Sequence, residues 1–382
     1  MALIPKGVKV YFGNSLKKKL WIENSIRDYF EKNYYNYIEL PVYEYYDDIK
    51  ENFSEDVQDE MFKFLDRDSG KILTLRPDMT SLLSKLIKLK KEKIKFPERI
   101  YYIGDVFRHH KIKSGVYREI AEAGVELIGG KDKDRSDLEI AVMAIELMKK
   151  LGLKNAKLEI GTVNLFKDIC KKVNISNSDI KEIKKYLSGK DITSLSKIVK
   201  EKNYDEIILK LPSLIGKKDI LKEVEGYDIS EIEKLTTALD ELGYENDYII
   251  DLGIVRELEY YTGIVFNGLV EGYGDYILSG GRYDELMGEK AIGFVLKIDS
   301  IFELLEVKIK SELKGYYIYG SDYIKLMKKK KELLLKNEFV EISAGDLSES
   351  ELKEYVKLKG FKYIYNIDTD EKISLEEDEN DK

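Results

Sequence analysis

Residues 99–108 (RIYYIGDVFR) and 118–129 (REIAEAGVELIG) are two aromatic and apolar runs, separated by a polar link, 109–117, that contains Ser114-Gly115. They read as the paired strands of a hairpin, and such a pair needs a larger sheet and a layer of helices to bury its apolar side chains. The covering helices are also visible. Leu16, Leu20, Ile26 and Phe30 fall on one side of a helical projection and predict a helix over about 15–32. After the second strand, Ser136-Asp137-Leu138-Glu139 has the form of a capping box. It predicts a helix starting there, with Leu138, Val142, Ile145 and Leu147 apolar and Gly152 at its end.

The rest of the chain supplies more strands. Residues 37–44 are aromatic and β-branched, with Pro41 suited to an edge, and 61–75 predict a hairpin turning at Asp66-Arg67-Asp68-Ser69-Gly70. From about 165 to 245 the sequence becomes lysine- and leucine-rich at helical spacing, broken at Ser188-Gly189 and Ile215-Gly216-Lys217, which predicts a helical insertion. Strands are expected again at 248–252, 260–266 and 291–296, with Ser279-Gly280-Gly281-Arg282-Tyr283-Asp284 as a tight turn into a helix. From Gly315 a β-α-β-α-β order predicts a small α/β module. The expected division is a core over 1–310 containing the insertion, a module over 311–370, and an acidic, disordered tail over 371–382.

Composition narrows the function classes. With 43% hydrophobic and 36% charged residues the chain reads as a soluble globular protein. One cysteine, Cys170, excludes an internal disulfide, and two adjacent histidines, His109 and His110, argue against a zinc site. The start of the chain lacks the apolar core of a signal peptide, and no stretch nears the roughly 20 apolar residues of a membrane span, so a cytoplasmic protein is expected. The net charge of −8 disfavours nucleic acid as the main partner; the lysines of 85–95 read as the solvated face of an amphipathic helix. His109 and His110, in a predicted exposed loop, read as incidental to any chemistry.

Several segments, in order, resemble class II aminoacyl-tRNA synthetases, and the histidyl branch in particular. Leu75-Arg76-Pro77-Asp78-Met79-Thr80 resembles that branch's LRPEGT segment, and the 99–129 hairpin resembles the second class II motif, with Phe107-Arg108 in place. Leu258-Glu259-Tyr260-Tyr261 and Gly280-Gly281-Arg282-Tyr283-Asp284 resemble its LDYY and GGRYD signatures, and Pro41 sits where the first motif carries an interface proline. The likeness spans about residues 5–305. It implies an α+β fold: a mostly antiparallel sheet flanked by helices, with a helical insertion and a small C-terminal α/β module, assembled as a homodimer.

The resemblance also divides the site into two halves. It places Asp78, Thr80, Arg108, Glu122, Glu126, Arg256, Tyr260 and Tyr261 around a pocket for a histidine-like ligand, with Glu122 in place of the usual glutamine. Carboxylates and tyrosine hydroxyls suit a small cationic, hydrogen-bonding molecule. The ATP half departs from the pattern. Phe107-Arg108 continues into His109-His110 rather than to a glutamate, and Val116 follows Gly115 where an arginine is usual nearby. The third motif reads Gly293-Phe294-Val295-Leu296-Lys297-Ile298-Asp299-Ser300, with Lys297 for a glycine and Ser300 for the arginine that clamps the γ-phosphate.

A synthetase-like core with a broken ATP clamp and a shortened tail module resembles the regulatory-subunit family of ATP phosphoribosyltransferase. That implies no catalytic residue, metal or cofactor. It implies a short-form catalytic transferase subunit as partner, self-association through the core, histidine as a regulatory ligand, and no membrane. A divergent active histidyl-tRNA synthetase is the alternative; a domain kept for dimerisation or RNA binding is a third reading.

Overall fold

A computed structural model gives the fold, and the residues it describes are 4–53, 55–109, 117–254, 261–306, 314–345 and 347–375. The chain divides into two units, Met1–Val307 and Lys308–Lys382. The described strands of the first are β1 (Asn36–Tyr37), β2 (Tyr43–Tyr45), β3 (Lys63–Leu65), β4 (Ile72–Leu75), β5 (Glu98–Phe107) and β6 (Glu119–Ile128). They continue with β7 (Ala156–Thr162), β8 (Ile215–Gly216), β9 (Tyr248–Asp251), β10 (Ile264–Val270), β11 (Leu278–Arg282) and β12 (Ala291–Lys297).

Nine of these form one sheet in the order β1-β5-β6-β12-β11-β10-β7-β9-β8. Only β1 with β5 and β7 with β9 are parallel; every other neighbouring pair is antiparallel. The fold is α+β, mostly antiparallel, as the sequence implied. Successive residues of a strand point to opposite faces, and on β6 this sorts the side chains cleanly. Ala121, Ala123, Val125 and Leu127 join a core with Ile22, Ile26 and Phe30 of the helix Gly13–Lys32 and with Ile140, Ala144, Leu147 and Met148 of the helix Lys133–Lys150. Glu122, Gly124 and Glu126 face the other way. On that side Leu82, Leu83 and Ile87 of the helix Met79–Lys90 pack with Ile100, Tyr102 and Val106 of β5.

Two local expectations are corrected. The helix at 136 begins one turn earlier: Asp132 is its N-cap, accepting from the Arg135 N–H at 3.1 Å, and Ser136 Oγ donates to the Asp132 carbonyl. Asp132 caps as well as serine does, and the apparent box is the second turn. The glycine-rich run 279–282 belongs to strand β11, paired on both edges, rather than to a turn. Its Arg282 is only 1% exposed and binds the buried Asp137 (Nε to Oδ1 2.9 Å), Asp284 and the Lys133 carbonyl, fastening the sheet to the helix Lys133–Lys150.

Strands β3 and β4 form the expected hairpin and join β2 in a separate three-stranded sheet. Residues 163–241 are helical apart from β8 and connecting segments. No helix among the described residues is long and apolar enough to cross a membrane.

The second unit holds β13 (Tyr316–Tyr319), β14 (Val340–Ile342), β15 (Tyr363–Asn366) and β16 (Glu371–Ser374), in the order β14-β13-β15-β16. The first three are parallel and β16, a strand beyond the expected β-α-β-α-β order, is antiparallel to β15. The helix Tyr323–Leu335 buries Leu326 and Leu333 against Ile318, while Leu352 and Val356 of Glu349–Lys359 pack on Tyr317 and Ile364. Residues 371–374, expected to open a disordered tail over 371–382, instead pair with β15 as β16, and the tail from 376 lies outside the described residues.

Candidate functional site

A cavity of about 420 Å³ lies over the face of the main sheet that carries Glu122 and Glu126. The helix Met79–Lys90 borders it, Asp251 at the end of β9 forms another wall, and Ser188 and Lys190 reach it from the helical insertion. Of the eight residues proposed from sequence, Asp78, Thr80, Arg108, Glu122, Glu126 and Tyr261 line it together. Arg256 and Tyr260 lie outside the described residues, as do His110 and Val116. His109 is described; its ring meets Phe62 edge-on at 5.3 Å, and it is not a lining residue.

The acidic end is built by close packing around one carboxylate. Glu126 is 1% exposed, and its Oε1 accepts from Tyr102 Oη at 3.0 Å and from Thr80 Oγ1 at 3.1 Å. Its Oε2 has no hydrogen-bond partner among the described residues. Two glycines make this possible. A Cβ on Gly124, the register partner of Tyr102, would fall 2.3 Å from the tyrosine oxygen, and one on Gly293 would fall 1.7 Å from Glu126 Oε2. Burial pushes the Glu126 carboxyl up to about 8, partly offset by the hydrogen bonds from Tyr102 and Thr80. Glu122, half-buried, is pushed up to about 7, again by burial first, with Arg108 opposing and Asp78 reinforcing. Asp78 has a structural role as well: it is the N-cap of the helix Met79–Lys90, accepting from Ser81 N–H at 2.6 Å. The buried Tyr261 stands edge-on to Tyr283, with ring centroids 6.4 Å apart.

A second polar row crosses the sheet. Ser279 Oγ donates to Asn267 Oδ1 at 3.2 Å, and Asn267 Nδ2 donates to Glu159 Oε2 at 2.7 Å, each pair directly in register. Burial, reinforced by the nearby Glu159, holds the Asp251 carboxyl well above the usual carboxylate range. Sequence reasoning missed this row and Lys190. The two acids lie nearly a hundred positions apart, and only the parallel pairing of β7 with β9 brings them together. The alternation in Leu158-Glu159-Ile160 was the one available signal, since it places an acid on a strand face.

Residues 12–301 match the histidyl-tRNA synthetase family. A relative from Clostridium novyi (strain NT), named ATP phosphoribosyltransferase regulatory subunit, is 31% identical over 97% of this chain and 93% of its own length. The chain belongs to the histidyl-tRNA synthetase-like family of ATP phosphoribosyltransferase regulatory subunits. A solved structure from Bacillus halodurans, described as an ATP phosphoribosyltransferase regulatory subunit/histidyl-tRNA synthetase, superposes with a TM-score of 0.82 at 26% identity, covering 96% of this chain and 98% of that one. The histidyl-tRNA synthetase of Nostoc sp. PCC 7120 shares the fold, with a TM-score of 0.78 at 18% identity, covering 97% and 96%.

Against the motifs of the synthetase branch, the two altered positions in β12 and after it now have a place. Lys297 lines the cavity but is paired with Asp275 at 2.7 Å. Ser300 is buried in the helix Ile298–Leu304 and does not line the cavity. Its neighbour Asp299 binds the Ala121 N–H at 2.9 Å, Tyr11 and Lys9, a structural network. Among the described residues the cationic lining is therefore Arg108, Lys190 and Lys297, against the carboxylates Asp78, Glu122, Glu126 and Asp251. No group of three or more described His, Cys, Asp or Glu residues is arranged to hold a metal ion.

Proposed function

We propose that this chain is the non-catalytic regulatory subunit of an ATP phosphoribosyltransferase, required by a short-form catalytic subunit for the first step of histidine biosynthesis. Kinship along nearly the whole chain supports the assignment. The observation that carries the non-catalytic reading is the asymmetry of the cavity. The carboxylate end is assembled and buried around Glu126, whereas the lysine of the altered third motif is neutralised by Asp275. Amino acid activation needs cations fixed where charge develops on the phosphates, and losing one such contact typically costs about 10²–10³ in rate.

The same cavity is the proposed site for histidine. Glu126 Oε2 offers a polar atom without a partner among the described residues deep in it, and Asp78, Thr80, Arg108, Glu122 and Tyr261 supply complementary groups. With Arg256 and Tyr260, outside the described residues, they complete the proposed set. Bound histidine would touch the core strands and the insertion at once, so its affinity can differ between two arrangements of these elements, as feedback inhibition requires. Self-association is assigned to the small sheet, where Val42, Tyr43, Phe64, Leu65 and Ile72 remain exposed beside Pro41. A cytoplasmic location follows from the proposed pathway.

The test is to mix the purified chain with a short-form catalytic subunit and to assay the chain alone for histidine-dependent ATP–pyrophosphate exchange. A stable complex and no exchange are expected. Robust exchange without a complex would establish a divergent synthetase instead.

A further inference from the structure

Glu126 and Glu122 lie four residues apart on one face of β6. Glu126 is almost completely buried and leaves Oε2 unpartnered among the described residues, and the Glu122 side chain, which lines the same cavity, has no hydrogen bond or ion pair among the described residues. The described groups that face Glu122 are Arg108 beyond the end of β5, Asp78 at the start of the helix Met79–Lys90, Lys297 at the end of β12 and Asp299 in the helix Ile298–Leu304. Arg76 and Tyr102 also face it. The cations among them are engaged elsewhere. Lys297 pairs with Asp275, Arg108 Nε donates to the Pro77 carbonyl at 3.0 Å, and Arg76 donates to the carbonyls of Asp105 (2.6 Å) and Leu40 (2.7 Å). A carboxyl in such a place holds its proton in the empty cavity to a higher pH than a free carboxyl does.

We propose that Glu122 makes this cavity a proton-linked site for a small amine: the empty site holds a proton on Glu122 and releases it when a ligand's ammonium group takes its place. The inference rests on the cavity being a ligand site, as argued above, and adds how that site selects and is regulated. The O–H bond of the Glu122 carboxyl breaks, the proton passes to solvent, and the carboxylate left behind pairs with the ammonium group. No other bond changes.

The direction of the pH dependence follows. Below about pH 7 the empty site is protonated and binding must expel the proton; above it Glu122 is already ionised. Affinity therefore rises as pH climbs toward 7, by up to about tenfold per unit, and this contribution levels off above it. A ligand bearing phosphates and no cation gains nothing from the exchange and meets Asp78, Glu122, Glu126 and Asp251.

The experiment is calorimetric titration of the full chain with L-histidine near pH 6, in two buffers of different ionisation enthalpy, for the wild type and for Glu122→Gln. The imidazole of histidine titrates in the same range, so the readout is the difference between the two proteins. The wild type is expected to release about one more proton per histidine than Glu122→Gln, and its affinity is expected to gain more from pH 5.5 to 6.5, by up to about tenfold. Glu122→Ala serves as a second variant with the same expectation. Histidine binding with equal proton counts would overturn this inference and leave the ligand site standing. Absence of histidine binding to the wild type would overturn both.

Discussion

At the residue scale, Glu126 couples the site to the stability of the fold. It keeps its proton to about pH 8 in the folded chain, whereas an unfolded glutamate loses it near about 4.3. Between those values the folded state binds more protons, so stability is greatest at the acid end of the window and falls as pH rises through it. Glu126→Gln removes this dependence while keeping the shape. Its gain in unfolding free energy over the wild type should be larger at about pH 8.5 than at about pH 5, by on the order of a few kcal/mol. Equal gains in denaturant titrations at the two pH values would show that Glu126 is not held neutral. Gly293→Ala tests the same corner sterically. The added Cβ would meet Glu126 Oε2 and, at 2.2 Å, the Val125 carbonyl. We expect a cost of about 1–3 kcal/mol or more and loss of histidine binding; unchanged histidine affinity would count against the packing described around Glu126.

At the scale of elements, the hairpin 98–128 was legible because both strands are long and end in turn-forming sequence; Glu122 and Glu126 were brought together by the synthetase resemblance, and the alternation of β6 sets them on one face. What escaped was set by distant partners. The glycine run 279–282 has the composition of a turn, yet its glycines are what let β11 lie between β10 and β12, where a Cβ on Gly280 would fall 2.4 Å from the Gly293 carbonyl. Likewise Arg282 read as part of a signature, and only the structure shows it buried on Asp137. Arg282→Ala would leave Asp137 buried without its cation, and breaking such a pair costs about 3–5 kcal/mol. Chemical denaturation should report a loss of that order. A loss below about 1 kcal/mol would mean that this contact does not hold the sheet to its helix.

At the scale of the whole molecule, the ordered synthetase motifs made the α+β architecture and the family legible, since they span the large unit from end to end. The wall formed by Asp251 and Lys190 was not legible, because it depends on how the insertion and β9 close over the sheet. The resulting molecule joins an acidic cavity, proposed above as a ligand site, to a synthetase-like fold whose third motif carries Lys297 and Ser300. The most direct test of its role is the turnover of a purified short-form ATP phosphoribosyltransferase catalytic subunit with and without this chain, in the absence and presence of histidine. The account predicts little turnover by the catalytic subunit alone, strong activation when this chain is added, and inhibition of the activated enzyme by histidine that is lost with Glu126→Gln. Turnover that is the same with and without the chain would contradict it.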